Sequence, residues 1–227
     1  MPTSRNVVEL TRKAVDAVGN HTSAGAYRWI FVIHEDDASE FAWLPDAIVV
    51  KHNLDPYTCP RGNNLGLRAA GVGADVVFLN GDTEVTAGWL DKLIEDSAGN
   101  ALTMARTQYK GSGNPEAWGE GPARDTRARS GCSFFCCYLP WRIRRVLGTL
   151  DEEYEGYGGE DTDYTMRAIL AGFGARISSA FVWHREPGSD FRHRDGDKID
   201  RAAEHWRAKW GVAPWDVAAA VDAARGA

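Results

Sequence analysis

Short apolar runs alternate with helical segments along most of this 227-residue chain. The clearest case is the run Val76 to Leu79, which leads directly into the polar turn Asn80-Gly81-Asp82 before a helix predicted from Trp89 to Asp96. Strands that alternate with helices are typical of α/β domains, in which successive strands often pair in parallel. We therefore expect an α/β fold, with a mostly parallel central sheet flanked by helices.

The other predicted elements follow the same alternation. Periodicity and turn residues predict helices at 7–18, 64–70, 141–147, 160–171, 199–209 and from about 215, and strands at 27–33, 47–50, 132–138 and 175–182. The chain shows neither an internal repeat nor a linker, so we expect a single domain over residues 1–227. Residues 107–130 are predicted to form a long active-site loop, and residues 190–227 a C-terminal loop and helices.

The start of the chain is unusual for such a sheet. Only Met1-Pro2-Thr3 precede the first predicted helix, where an apolar first strand is normal. Either this strand is very short or absent, or translation begins upstream of Met1. No signal peptide and no apolar run of roughly 18 residues is found, so a cytoplasmic location is expected.

Composition excludes some classes of function. The net charge of -6 gives no overall field that attracts nucleic acid, so a polyanionic partner would need a local basic patch. The four cysteines show neither paired metal-ligand spacing nor the density of a disulfide framework, which indicates buried reduced thiols. Nine tryptophans fit core packing, stacking platforms for a ring-shaped ligand, or both.

Polar residues that suit a metal-diphosphate site follow several predicted strands. Asp36 and Asp37 follow one strand, Asn80 and Asp82 follow another, and His184 ends the last. Ligands of open α/β sheets bind at the carboxyl ends of the strands. Oxygen ligands with one imidazole suit Mg²⁺ or Mn²⁺, and such a cation neutralises a departing diphosphate.

At the level of motifs the chain resembles family 2 glycosyltransferases of the GT-A type. Residues 61–70 are similar to the family's "arNlGl" helix, and residues 77–85 to the strand that carries its DxD motif. Residues 156–167 resemble the acceptor-side GxGGEDxD motif, which is also found in β-1,4-galactosyltransferases. Residues 182–185 and 209–211 are similar to the family's metal-binding "V.H" and C-terminal "KWG" segments.

The resemblance implies a role for each matching residue on the donor side. Asp36 or Asp37 would contact the base or ribose of a nucleotide, with help from Arg61. Asp82 matches the last acid of DxD and would ligate the metal together with His184. Asn80 stands where the family has its first aspartate, so it could hydrogen-bond a ribose or phosphate but would add no charge.

On the acceptor side, Asp161 matches the family's general base, and Glu160 would bind or orient the acceptor. Tyr157, Gly158 and Gly159 would form the adjoining acceptor surface, because glycines allow a substrate close to the backbone. A carboxylate at a helix N-terminus is also stabilised as the anion, which is the form a base needs. Direct attack by the acceptor oxygen with the help of one base implies inversion at the anomeric carbon, as the resemblance also suggests.

Further polar and aromatic residues have two interpretations each. Arg192 and Arg194 could clamp the diphosphate or lie on a solvated segment. Trp118 could stack on a sugar or base, and the arginines of residues 124–129 could line an acceptor channel or have no specific role. Simpler structural roles also remain open for the acids and the histidine, namely helix capping, turn formation and an ordinary strand-end hydrogen bond.

Taken together, the residues and the resemblance predict a metal-dependent glycosyltransferase. It would use Mn²⁺ or Mg²⁺ and a nucleoside-diphosphate sugar, with UDP favoured, to modify a hydroxyl acceptor. The acceptor stays open between a glycan, a lipid-linked sugar, a protein and a modified nucleobase. The alternatives are a catalytically silent nucleotide-sugar or glycan-binding module and a sugar-1-phosphate nucleotidyltransferase, although the latter's N-terminal glycine-rich basic signature is not found.

Overall fold

The computed structural model of the chain describes residues 2–3, 8–108, 114–126, 131–155, 158–185 and 196–226. Its strands form two sheets, with helices packed against them. No helix within these ranges combines the length and the apolar character that a bilayer crossing requires. The α/β class is as the sequence predicts.

The smaller sheet has three parallel strands in the order β1-β2-β3. These are β1 (Pro2–Thr3), β2 (Trp29–His34) and β3 (Ala47–His52). Helix α1 (Val8–His21) connects β1 to β2, and α2 (Cys59–Ala70) follows β3. A strand therefore precedes α1, and its described residues are Pro2 and Thr3.

The larger sheet has six strands of mixed direction. They are β4 (Val76–Leu79), β5 (Thr83–Val85), β6 (Ala101–Thr107), β7 (Arg124–Asp125), β8 (Cys136–Leu139) and β9 (Gly174–His184), in the order β4-β8-β6-β9-β5 with β7 also on β9. β6 and β9 are parallel, whereas the other four pairs are antiparallel. The strand directions thus differ from the mostly parallel sheet we expected, because hydrophobic patterns report burial and not direction.

The remaining helices are α3 (Trp89–Ser97), α4 (Trp141–Leu147), α5 (Glu160–Leu170), α6 (Gly196–Trp210) and α7 (Val217–Gly226). The main core lies between the larger sheet and its helices, around fully buried Leu93, Leu102 and Ile177. A second apolar cluster joins α5, α6 and α7 through Met166 and Trp206.

A buried acid attaches helix α6 to α5. The Asp163 carboxylate has no exposed surface and lies 2.9 Å from Arg167 Nε and 2.8 Å from Lys209 Nζ. The indole Nε1 of Trp210 donates a further hydrogen bond to it, at 3.0 Å. The motif residues 209–211 therefore have a packing role on α6, which the sequence did not reveal.

Part of the expected loop 107–130 is regular structure. It contains β7 and a 3₁₀ turn at Pro115–Ala117, while residues 109–113 and 127–130 lie outside the described residues. The buried guanidinium of Arg106 donates to the carbonyls of Glu116 (3.2 Å) and Pro122 (2.7 Å), which holds this segment against β6. The sequence prediction missed β6 itself, because every one of its residues is buried and its pattern does not alternate.

Candidate active site

The pairing of β5 with β9 brings Asp82 and His184 together. Thr83 and His184 are register partners, so Asp82 lies immediately before the strand that faces the end of β9. The backbone N–H of Arg185 donates to the Asp82 carbonyl at 2.8 Å. The Asp82 Oδ1 and His184 Nε2 atoms are 3.2 Å apart, and both side chains are largely buried.

Two residues that the sequence did not single out position His184. The ring of Phe135 stacks on the imidazole with centroids 4.8 Å apart and planes inclined by 9°. The side-chain amide of Gln108 donates to the His184 carbonyl (3.1 Å) and accepts from its N–H (3.3 Å). Both contacts join residues far apart in the chain, so no local pattern predicts them.

Asn80 lies in the same turn as Asp82. Its backbone N–H donates to the Phe135 carbonyl at 2.8 Å, and its own carbonyl accepts from Thr83 N–H at 3.2 Å. The Thr83 hydroxyl donates to the same Phe135 carbonyl at 3.4 Å. The turn after β4 is therefore fixed to the residues that precede β8.

The chemistry of the Asp82 and His184 pair fits a divalent cation. Asp82 Oδ1 is buried and accepts no hydrogen bond from the described residues, despite its short distance to the imidazole. A buried carboxylate oxygen without a hydrogen-bond donor is uncommon in proteins and requires an explanation. One carboxylate and one imidazole are a donor set that Mn²⁺ accepts.

Glu160 and Asp161 form the first turn of α5, after Gly159 with a φ of 96°. Asp161 Oδ1 accepts from the Thr162 N–H at 2.7 Å and from the Thr162 hydroxyl at 3.2 Å. The backbone N–H of Phe134 also donates to this carboxylate. Because Phe135 stacks on His184, two consecutive residues connect Asp161 with the Asp82 and His184 pair.

Burial raises the pKa of both carboxyl groups, and the charge of Asp161 raises that of Glu160 further. Burial, and then the charge of Asp161, raise the pKa of Glu160 to about 8. Burial of its carboxyl group also raises the pKa of Asp161, but its hydrogen bonds from Thr162 and Phe134 oppose that rise. Glu160 is therefore mostly protonated at neutral pH, and the hydrogen bonds to Asp161 favour the anion on that member of the pair.

The two glycines before α5 have different surroundings. A Cβ on Gly159 would lie 2.3 Å from the Trp215 ring, so packing within the chain requires a glycine there. A Cβ on Gly158 would meet open space, although its φ of 90° still favours glycine. Only Gly158 thus has the open surface expected of an acceptor contact, and Tyr157 lies outside the described residues.

The expected base-binding residues lie in the smaller sheet. Asp36 and Asp37 belong to a 3₁₀ turn (Glu35–Phe41) directly after β2. Within the described ranges, the polar contacts of Asp36 stay in its own turn, with His34 Nδ1. Arg61, in the first turn of α2, donates from Nη1 to the Pro56 carbonyl at 3.3 Å. Among the described residues, these contacts of Asp36 and Arg61 do not reach Asp82.

Trp118 forms a parallel bridge with Thr107, the last residue of β6. It therefore lies beside the strand end whose next residue, Gln108, holds His184. Arg192 and Arg194 lie outside the described residues.

A second group of potential metal ligands lies near α6. Asp151, Glu153 and His205 offer ligand atoms within 4.8 Å of one another. However, Asp151 Oδ2 already contacts His205 Nε2 (3.1 Å) and Lys209 Nζ (2.5 Å). Burial works against ionisation of Asp151, but these hydrogen bonds outweigh it and lower its pKa to about 2. The ammonium of Lys209 thus occupies the place that a cation would take.

No protein-family model and no curated protein matches this sequence. Solved structures do match its fold. Residues 1–349 of TarS from S. aureus superpose with a TM-score of 0.61 at 14% identity, over 92% of this chain and 70% of that one. GalNAc-T7, solved with UDP, GalNAc and Mn²⁺, gives a TM-score of 0.62 at 14% identity, over 87% of this chain and 45% of that one. The chain therefore has the GT-A fold of these glycosyltransferase structures.

Proposed function

We propose that this chain is a metal-dependent glycosyltransferase that moves a sugar from a nucleoside-diphosphate donor to a hydroxyl acceptor. The observation that carries the proposal is the segment Phe134-Phe135. One of its residues donates to the Asp161 carboxylate, and the next stacks on His184 beside Asp82. These contacts support a single site in which Asp161 would act as the base and Asp82 and His184 would hold the metal, as transfer from a diphosphate donor requires.

On the donor side, Asp82 and His184 would hold Mn²⁺ or Mg²⁺, which would neutralise the charge of the diphosphate leaving group. The side-chain amide of Asn80 would hydrogen-bond the ribose or a phosphate from the same turn. Asp36, Asp37 and Arg61 would contact the base and ribose, and Arg192 and Arg194 the phosphates. UDP is the favoured nucleotide, and GalNAc-T7 was solved with UDP.

On the acceptor side, Asp161 would take the proton of the acceptor hydroxyl while that oxygen attacks the anomeric carbon. The new C–O bond forms as the bond from that carbon to the diphosphate oxygen breaks, with inversion of configuration. Hydrogen bonds from Thr162 and Phe134 orient the carboxylate for this task. Glu160, protonated because of its raised pKa, would donate a hydrogen bond to the acceptor.

Gly158, Tyr157 and Trp118 would complete the acceptor surface around this base. The acceptor itself stays open between a glycan, a lipid-linked sugar, a protein and a modified nucleobase. The two alternative functions would give different reaction outcomes. A silent binding module would bind donors without turning them over, and a nucleotidyltransferase would release pyrophosphate from a nucleoside triphosphate and a sugar 1-phosphate.

Donor hydrolysis tests the proposal, because water replaces an unknown acceptor. Nucleotide sugars are incubated with the protein and Mn²⁺, and the released sugar and nucleoside diphosphate are quantified by mass spectrometry. We expect one donor to be hydrolysed and the rate to fall by about 100- to 10,000-fold in Asp161→Asn. Asp222→Asn, an exposed acid on α7, is the matched control and should keep the rate.

Hydrolysis that Asp161→Asn leaves intact would refute the assignment of the base. No release from any donor, despite binding, would instead identify the silent module. Pyrophosphate release from a nucleoside triphosphate with a sugar 1-phosphate would identify the nucleotidyltransferase.

A further inference from the structure

A cavity of about 610 Å³ separates the two sheets. Residues 28–30, at the start of β2, line one wall, and residues 76–79, which form β4, line the other. Helix α2 contributes Gly66 and Leu67 to the lining, and α3 contributes Leu90 and Ile94. The gap therefore runs between two strands and is enclosed by helices, and we call it the β2–β4 slot.

The β4 side of the slot has the character of an interior strand. β4 pairs with β8, but no strand in the described part of the chain pairs with its opposite edge. Its residues Val76-Val77-Phe78-Leu79 are all apolar, which is typical of a strand buried in the middle of a sheet. Natural edge strands instead carry charges, prolines or bulges that prevent pairing with other chains.

If β1 were extended in its observed register, the added residues would lie in the slot. Pro2 pairs with Val32 and Thr3 with Ile33, in parallel. Continued in the same register, the three residues that precede Met1 would lie beside Ile30, Trp29 and Arg28. All three residues line the cavity, and Arg28 immediately precedes β2.

We propose that the β2–β4 slot is filled by an apolar β-strand that continues β1 toward its N-terminus and is supplied by residues upstream of Met1. An extended peptide fits because its backbone would pair with the N–H and C=O groups along the β4 edge. A lipid or another apolar ligand would leave those groups unpaired, which is costly in a buried site. The added strand would join both sheets into one.

Filling the slot would also fix the donor side of the site. The carboxyl ends of β2 and β4 carry Asp36 and Asn80, respectively. A strand paired to both would set the distance between the two sheets at about twice the 4.8 Å strand spacing. The inference itself rests on the cavity and the register and does not depend on the proposed enzymatic function.

The first test is the N-terminal peptide of the protein purified from its native source, identified by mass spectrometry. We expect a peptide that extends at least three residues upstream of Met1, with apolar side chains. A mature N-terminus at Met1 or Pro2 would overturn the proposal.

The second test measures thermal unfolding of the 227-residue chain with Val-Ile-Val-Val added before Met1. The extension should raise the melting temperature by about 5 °C or more, whereas a Gly-Asp-Gly-Ser extension of equal length should not. Val77→Asp, in the wall of the slot, should cancel the gain of the apolar extension. Equal effects of the two extensions, or a gain that survives Val77→Asp, would refute the slot.

Discussion

Asp161 and Asp163 lie two residues apart in one acidic motif, yet the structure predicts opposite consequences for their substitution. Asp163 is completely buried and contacts Arg167, Lys209 and Trp210 at 2.8 to 3.0 Å. Asp163→Asn keeps the size of the side chain and removes its charge. Hydrogen bonds to charged groups contribute roughly 1.5 to 3 kcal/mol each. The two cations keep 22% and 27% of their side-chain surface exposed, so water recovers part of that loss.

We therefore expect Asp163→Asn to lower the free energy of unfolding by about 3 kcal/mol, at the lower end of the range for breaking buried ion pairs. For a chain of this size, that corresponds to a fall of roughly 6 to 12 °C in melting temperature. Asp161→Asn should instead leave stability unchanged or slightly higher at pH 7. Burial opposes the charge of its carboxylate, and that charge raises the pKa of Glu160, so removing the charge relieves both costs.

Urea unfolding at pH 7, followed by tryptophan fluorescence, measures both variants against the wild-type chain. Donor hydrolysis is measured on the same preparations. The reasoning predicts a stable, inactive Asp161→Asn and an unstable Asp163→Asn that remains active while folded. A loss below about 1 kcal/mol in Asp163→Asn would refute the anchoring role, as would an equal loss in both variants.

Three further predictions follow from the same geometry. Burial raises the pKa of Glu160 from 4.5 to about 8, so ionisation of this side chain opposes folding. Relative to Glu160→Gln, the wild-type chain should therefore lose stability as pH rises from about 4.5 to about 8. Equal urea midpoints for the two chains at pH 5 and at pH 8.5 would contradict this. Gly159→Ala should lower the free energy of unfolding by about 2 to 4 kcal/mol, because Gly159 has a positive φ and its Cβ would meet the Trp215 ring. Gly158→Ala, which shares the positive φ but would place its Cβ in open space, should lower it by only about 1 kcal/mol. Similar melting temperatures for the two variants would argue against this packing. Gln108→Ala removes an exposed side chain that hydrogen-bonds the His184 backbone. The affinity for Mn²⁺ in the presence of UDP should fall by about 10-fold, with little change in the stability of the metal-free protein. An unchanged affinity, measured by calorimetry, would exclude the positioning role.

Local sequence features predicted most of the helices and the position of the acidic turn after β4. The helix at Trp141–Leu147 has the predicted bounds, and the helix at Glu160 begins at the predicted residue. Helix α2 begins earlier than periodicity indicated, at Cys59, because the Thr58 side chain caps it and Pro60 fits its first turn. These are short-range effects, which a single sequence can report.

Local patterns could not predict contacts between segments that are far apart in the chain. The pairing of β5 with β9 brings His184 to Asp82, and the directions of β5, β7 and β8 follow from their place in the sheet. The roles of Phe135 and Gln108 at His184 also depend on chain segments that meet only in the fold. The resemblance to a known family indicated His184 as a ligand, whereas the residues that position it carry no motif.

The most direct test of the donor site is the thermal shift of the protein with UDP and Mn²⁺. At 100 times the dissociation constant, binding stabilises a protein by about 2.7 kcal/mol, or roughly 5 to 10 °C here. We predict a shift that requires Mn²⁺, is lost in Asp82→Asn and is retained in Asp151→Asn. A shift that survives Asp82→Asn but disappears in Asp151→Asn would place the metal at the second group and contradict the account, as would the absence of a shift with every nucleoside diphosphate.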